Sequence, residues 1–480
     1  MTAYSGRGLY IDGRWLPAAG AGADPVYDPA TGDVLAVVPA ASADEAREAI
    51  AAAVRGHVKW SETPAWGRAD ILHKVADAMA ARTDDAATCI TLETGKPIAQ
   101  ARREWGLSVD QFRWYAEEAR RIYGRIVESR APGGRVEVRS ESIGVVAAFT
   151  AWNFPAVLIA RKVAPALAAG CSVIVRPSRE APGTAFVIFD CLHAAGVSAG
   201  VANLLLGSTE NTYRVLMDSS LVRKVSLTGS TAVGQQMIRD AAATMKRVSM
   251  ELGGNAPMIV FDDADVDNAL DLAVAAKFAN AGQVCVAPDR FYVHESLYES
   301  FGEKFAARAK ALKLGSGLDQ TTQMGPLINA RRREAIEAVV DDARERGGEI
   351  VAGGGRPANR NSGFFFEPTV ITGVPDDARA LAEENFGPIA AITPFGSDDE
   401  AYDRANASDY GLSAYAFTRS AARAREAVAR IQSGMVGINS FALAAAEAPF
   451  GGIKYSGMGR EGGTEGILDY CNVKLSQTVI

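Results

Sequence analysis

Cys285 stands in GQVCVAPDR (282–290), between the turn residues Gly282 and Pro288, just after the helical pattern LAVAAKFANA. A cysteine is usually a small buried hydrophobe, and that reading suits Cys89, Cys171, Cys191 and Cys471. A polar loop where the chain changes direction is different, because it can expose a thiol. A thiolate adds readily to a carbonyl carbon, and the thioester that follows can be hydrolysed. No histidine lies near Cys285 in sequence, so the base has to be a carboxylate. Glu251, in MELGGNAP (250–257), precedes two glycines whose backbone can pass close to a ligand. Alone, it reads as a solvated turn residue; its weight comes from the company it keeps.

That company includes GSTAVG (229–234), which follows the strand-like KVSLT and opens the helix-like AVGQQMIRDAAATM. A glycine-rich loop between strand and helix presents backbone N–H groups to a phosphate. Thr231 takes the place of the middle glycine in G-x-G-x-x-G, so the spacing also fits a plain tight turn. If a pyrophosphate binds, its path differs from the ordinary one.

The elements that position these residues follow from periodicity. Residues 43–122 read as long amphipathic helices, with apolar residues three and four apart. From about Ile143, the short apolar runs IGVVAAFT, SVIVRPS, VANLLLG and KVSLTGS alternate with helical stretches. That pattern predicts parallel βαβ units in a doubly wound sheet. A second series, from APMIVF through RFYVHE to FFFEPTVI and AAITPF, predicts a second α/β domain. RVEVRSESIGVV (135–146) and the C-terminal NVKLSQTVI alternate polar and apolar residues. They read either as an arm pairing with another subunit or as a hairpin tucked onto its own domain.

At 480 residues the chain is long enough for two or three domains. Its net charge of −7, without basic runs, argues against a nucleic-acid or anionic-membrane surface. No stretch approaches the ~18 apolar residues of a membrane span, and the first residues lack the layout of a secretory signal. Five scattered cysteines without a CxxC spacing point to a reducing cytoplasm. Four widely separated histidines give a metal cluster little to build on, so no metal is expected.

FTAWNFP (149–155), GSTAVG, ELGG, GQVC, EENFGP (383–388) and PFGGIKYSGMGRE (449–461) together resemble the aldehyde dehydrogenase superfamily, in its order and spacings across essentially the whole chain. The resemblance implies an α/β fold with a Rossmann-type cofactor domain (1–122 and 143–252), an α/β catalytic domain (253–461) and a small β oligomerisation arm (123–142 and 462–480). It implies an NAD(P)-dependent enzyme, a homodimer or homotetramer, acting on a small-molecule aldehyde. Cys285 matches the nucleophile, Glu251 the general base, and Asn153 the oxyanion donor, working with the Cys285 backbone N–H. Such donors stabilise charge that develops during the reaction. Lys162 and Glu461 match a proton path behind the base. Thr150, Trp152, Arg176, Ser178, Arg179, Gly229, Ser230, Gly234, Leu252, Glu384 and Phe386 match cofactor positions, and Phe154, Arg161 and Leu443 substrate positions.

Two departures bear on cofactor and substrate. Arg179 stands where NAD-preferring members often carry Glu; an Arg can pair with a 2′-phosphate instead of repelling it. With Ser178 beside it, VRPSRE leans toward NADP with NAD also used. IARKVAPALAAGC (159–171) with APFGG looks like the succinate-semialdehyde dehydrogenase branch, where Arg161 matches a ligand of the distal carboxylate. Ala279 and Ala445 replace helpers found in some members, and Ala442, Leu443, Ala444 and Ala445 would also suit an aromatic or medium aliphatic aldehyde. A CoA-acylating enzyme is disfavoured by Glu251 at the water-activating position. A catalytically silent scaffold is disfavoured because a binding protein needs no thiol and base together.

Overall fold

A computed structural model describes residues 4–17, 22–207 and 209–479. Residues 1–3, 18–21, 208 and 480, which the expected domain and arm ranges include, lie outside them. Among the described residues the chain builds one eight-stranded and one seven-stranded sheet. The first has a parallel centre of Ala202–Leu204, Ser172–Arg176, Val145–Phe149, Val222–Thr228 and Arg247–Glu251. Val145–Phe149 is buried throughout, as a strand covered on both faces must be. Helices Ala43–Glu62, Ala65–Ala80, Thr83–Thr94 and Ile98–Glu118 occupy the stretch where periodicity predicts them. The first begins at a capping box: Ser42 Oγ accepts the Glu45 N–H, and the Ser42 N–H donates to the Glu45 carboxylate.

The second sheet is parallel along Thr369–Thr372, Ile389–Phe395, Pro288–His294, Ala256–Val260, Ser413–Phe417 and Met435–Ile438. Each sheet has its own apolar core. The polypeptide passes from one to the other between Glu251 and Ala256, so Glu251 ends the last long strand of the first sheet. The segment Gly457–Met458 returns from the far part of the chain to pair antiparallel with Met250 and Glu251. A Cβ at Gly457 would lie 1.8 Å from the Met250 carbonyl oxygen, so only glycine allows this approach.

The strands Gly134–Ser142 and Cys471–Val479 pair with each other over nine residues, and Arg125–Glu128 adds a third strand. This small sheet belongs to neither large one. Ile126, Val473, Leu475 and Val479 are exposed on it, while Val138 of the middle strand is buried.

Candidate active site

A cavity of about 500 Å³ opens where the C-terminal ends of the first sheet's strands face the second sheet, the usual ligand position in open α/β sheets. Cys285, Glu251, Asn153, Trp152, Phe154, Arg161, Gly229, Ser230, Leu252, Glu384, Phe386 and Glu461 all line it. Lys162 lies behind it, fully buried.

Cys285 follows a strained turn. Helix Val266–Phe278 stops, and Asn280 and Ala281 then adopt left-handed φ of 48° and 55°, with Gly282 at 73°. Left-handed backbone costs a residue with a Cβ about 1–2 kcal/mol, so the neighbours must hold it. The Asn280 N–H donates to Gln100 Oε1 at 2.9 Å, and its side-chain amide donates to the Asn153 carbonyl at 3.1 Å. Gln283 donates to the Asn280 carbonyl and accepts the Ile328 N–H, each at 2.9 Å. A Cβ at Gly282 would lie 2.1 Å from the Gly387 carbonyl oxygen, and one at Gly254 would lie 2.3 Å from that of Cys285.

Asn153 is fixed by the same network. Its Nδ2 donates to the Gln283 carbonyl at 3.1 Å, which leaves its second hydrogen for a ligand. Its carbonyl accepts from buried Lys96 at 2.7 Å, and Lys96 pairs with buried Glu104. Glu104 in turn accepts the Ala156 N–H at 2.8 Å. This clamp seats the loop that carries Trp152, Asn153 and Phe154.

Burial pushes the Cys285 thiol up to about 12, reinforced by the Glu384 and Glu251 carboxylates and opposed by Arg161. The Cys285 sulfur therefore rests as a thiol, and to act as a nucleophile it would need a base. Burial also holds the Glu251 carboxyl well above the usual range; Glu461 adds to this, and Lys162, Arg161 and Arg460 oppose it. Glu251 Oε2 is buried without a hydrogen-bond partner. Glu461 forms a buried pair with Lys162, which also donates to Ser226 Oγ at 3.0 Å.

The other wall fits a dinucleotide. Ser230 caps helix Thr231–Ala242 without a side-chain hydrogen bond to the first turn, leaving backbone N–H groups there for an anion. A Cβ at Gly234 would meet Leu252 Cδ2 at 2.4 Å, so this glycine serves helix-to-strand packing. Glu384 is half-buried and accepts the Gly254 N–H at 2.9 Å, and its carboxyl is raised to about 7, mainly by desolvation. Trp152 and Phe386 meet edge to face with ring centroids 5.5 Å apart.

Several expected positions lie elsewhere. Thr150, Arg176, Ser178, Arg179 and Gly234 do not line this cavity, and Ala444 lines it in place of Leu443, which packs beside Phe450. Arg179 borders a smaller cleft of about 260 Å³ with Asp24, Tyr27 and Glu180. Its side chain is 63% exposed and lies 3.6 Å from Glu180. Ser178 bonds the same Glu180. The cavity also takes in Leu107, Val157, Leu158, Val284, Val286, Phe450, Arg331 and Arg332, which sequence reasoning did not single out as site residues. An Asn in the left-handed region is a readable loop signal, but Lys96, Glu104 and Arg332 reach the site only through tertiary contacts.

The Aldehyde dehydrogenase family model matches residues 15–476. The chain is 44% identical to a 3-sulfolactaldehyde dehydrogenase of Pseudomonas putida, over 97% of this chain and 95% of that one. It is 43% identical to the NADP(+) succinate-semialdehyde dehydrogenase of Escherichia coli K12, covering 97% and 96%. A crystal structure of succinate-semialdehyde dehydrogenase from Burkholderia pseudomallei superimposes with a TM-score of 0.96 at 42% identity, covering 99% and 98%. The chain belongs to the aldehyde dehydrogenase family: it is an NAD(P)-dependent enzyme that oxidises an aldehyde to a carboxylic acid.

Proposed function

We propose that the substrate is a short aldehyde with an anionic tail, succinic semialdehyde being the representative case, and that Arg161 binds the tail. The observation that carries this is Arg161 itself. It is buried in the cavity wall, stacked on Phe450 at 4.1 Å, with its Nε lacking a hydrogen-bond partner. A buried guanidinium needs an anion, and a carboxylate or sulfonate can meet it with two hydrogen bonds. The relatives named for succinate semialdehyde and 3-sulfolactaldehyde act on aldehydes with such tails. Apolar walls at Leu107, Val157, Leu158 and Val286 would suit an aromatic or aliphatic body, but they leave Arg161 unmatched.

In this reading Cys285 adds to the aldehyde carbon after Glu251 takes its proton. The oxyanion is met by Asn153 Nδ2 and the Cys285 backbone N–H. NAD(P) held beside Trp152 and Phe386 would supply the hydride acceptor needed to turn the Cys285 adduct into a thioester. Once Glu251 has released the thiol proton, along a path that begins with Glu461 and Lys162 behind it, it takes one from the attacking water. Ser230 and the first turn of its helix would hold a phosphate, Glu384 a ribose, and Trp152 with Phe386 the ring. Residues 123–142 and 462–480 serve as the contact of a homodimer or homotetramer, in a cytoplasmic enzyme whose five thiols stay free. Among the described residues no helix is long and apolar enough to cross a membrane.

Two variants test this reading. Arg161→Ala is expected to lower kcat/KM for succinic semialdehyde by about 10²-fold, the loss of a charge-assisted bidentate contact, while benzaldehyde changes far less. An equal loss for both removes the tail-binding role. For the cofactor, NADP is read as slightly favoured and NAD as also used. Arg179→Glu is then expected to shift the NADP/NAD ratio of kcat/KM toward NAD by about tenfold. An unchanged ratio means that the exposed pair with Glu180 stays in place when cofactor binds.

A further inference from the structure

The Cys285 loop and the cofactor wall meet at one buried ion pair. Lys277 stands in the last turn of helix Val266–Phe278, and Asp289 near the start of strand Pro288–His294. Residues 278–288, Cys285 among them, therefore leave and return at these two side chains. Both are buried, and Lys277 Nζ donates to Asp289 Oδ1. Replacing a buried ion pair with apolar side chains of similar volume is often neutral or stabilising, so stability alone does not account for this one.

The second oxygen of Asp289 reaches the other wall. Asp289 Oδ2 accepts the Asn385 N–H at 3.3 Å, and Asn385 is the buried residue between Glu384 and Phe386. The Asn385 carbonyl accepts from Arg332 Nη2, and its side-chain amide donates to the Ala380 carbonyl, each at 2.8 Å. Phe386 follows with a φ of 45°, a left-handed conformation that its neighbours must hold. The pair also acts on Glu384 in opposite senses, Asp289 raising its carboxyl and Lys277 lowering it. One carboxylate thus serves two segments. Its Oδ1 takes the helix end before the Cys285 loop, and its Oδ2 takes the peptide between Glu384 and Phe386.

We propose that Lys277 and Asp289 are positioning residues that set the Cys285 sulfur against the nicotinamide seat, and with it the distance over which hydride is transferred. The inference rests on the reading of Cys285 as nucleophile and of Glu384 and Phe386 as the cofactor seat. Neither Lys277 nor Asp289 lines the cavity, so both act through the segments they join. Transfer between two walls is sensitive to such placement, since a shift of about 1 Å can cost about 10²-fold in rate. Acylation of Cys285 by an ester involves no cofactor wall. It relies on the Cys285 loop and Asn153, which Asn280 and Gln283 hold through contacts of their own. The ion pair therefore matters where both walls must meet and not where one suffices.

The test uses the full-length enzyme and two variants. Asp289→Asn keeps the size but turns an amide donor toward the Asn385 N–H once its oxygen faces Lys277. The double variant Lys277→Met, Asp289→Leu removes both charges at similar volume and cuts the link outright. Two rates are compared in each. One is the burst of NAD(P)H from succinic semialdehyde, with and without deuterium on the aldehyde carbon. The other is nitrophenol release as p-nitrophenyl acetate acylates Cys285 without cofactor. The expected result is acylation at the wild-type rate, with the burst slowed about 10- to 10²-fold and its deuterium isotope effect larger than in wild type. A burst at the wild-type rate in either folded variant, or burst and acylation falling by the same factor, overturns the positioning role. A wild-type enzyme that takes no acetyl group on Cys285 would overturn the reading of the nucleophile, and the proposal with it.

Discussion

Replacing Cys285 by alanine is expected to abolish NAD(P)H formation from every aldehyde, a fall of at least about 10⁴-fold in kcat/KM. The reason lies in the geometry around it. Cys285 is the one cysteine not fully buried, and it sits in the cavity wall with Asn153, Glu251 and Arg161. No other described cysteine lines that cavity, so none can substitute. The loop that carries it is pinned by Asn280 and Gln283 rather than by the thiol. The alanine variant should therefore keep its Tm within about 1 °C, since a substitution that breaks no network changes stability by a few tenths of a kcal/mol. Turnover retained in a folded Cys285→Ala protein would remove the nucleophile assignment.

The second large effect is at Glu251. Glu251→Gln should slow aldehyde addition and slow thioester hydrolysis more, the latter by about 10²- to 10⁴-fold, the range for a general base. The base must be ionised to accept a proton, and burial next to Glu461 holds its carboxyl well above the ordinary range. Hydrolysis by the wild-type enzyme should therefore go on rising with pH above the ordinary carboxyl range, and that rise should vanish in the Gln variant. The same shift has a stability sign. The folded protein holds this proton more tightly than the unfolded chain does, so stability is greatest below the ordinary carboxyl range and is lost as pH rises. At alkaline pH, Glu251→Gln should thus melt higher than wild type. A pH profile as steep in Glu251→Gln as in wild type would assign the titration to another group, Glu384 being the nearest alternative.

Much of the positioning was legible because it is local. KVSLT followed by GSTAVG becomes strand Val222–Thr228, a loop and helix Thr231–Ala242, as strand–turn–helix chemistry predicts. The stretch before GQVC ends its helix at Phe278 because Asn280, Ala281 and Gly282 take up left-handed backbone. What sequence could not display is long-range pairing. Lys96 and Glu104 meet as a buried pair beneath Asn153, yet in the chain they are ordinary members of a loop and an amphipathic helix. Lys224 in KVSLT alternates with apolar residues as if half the strand were solvated, yet Lys224 and Ser226 are both buried. At Arg179 and Leu443 the motif gives the neighbourhood, while the contacts come only from the fold: Arg179 lies 3.6 Å from Glu180, and Leu443 packs with Ala444 against the cluster that includes Phe450.

The central claim is that an acyl group passes through Cys285 and leaves by the action of Glu251. The most direct measurement is the intact mass of Glu251→Gln after mixing with succinic semialdehyde and NADP and quenching in acid. The account predicts a mass increase equal to one succinyl group, located on the peptide carrying Cys285 and absent from the Glu251→Gln, Cys285→Ala double variant. No adduct on that peptide while NADPH is still formed, or an equal adduct in the double variant, would contradict it.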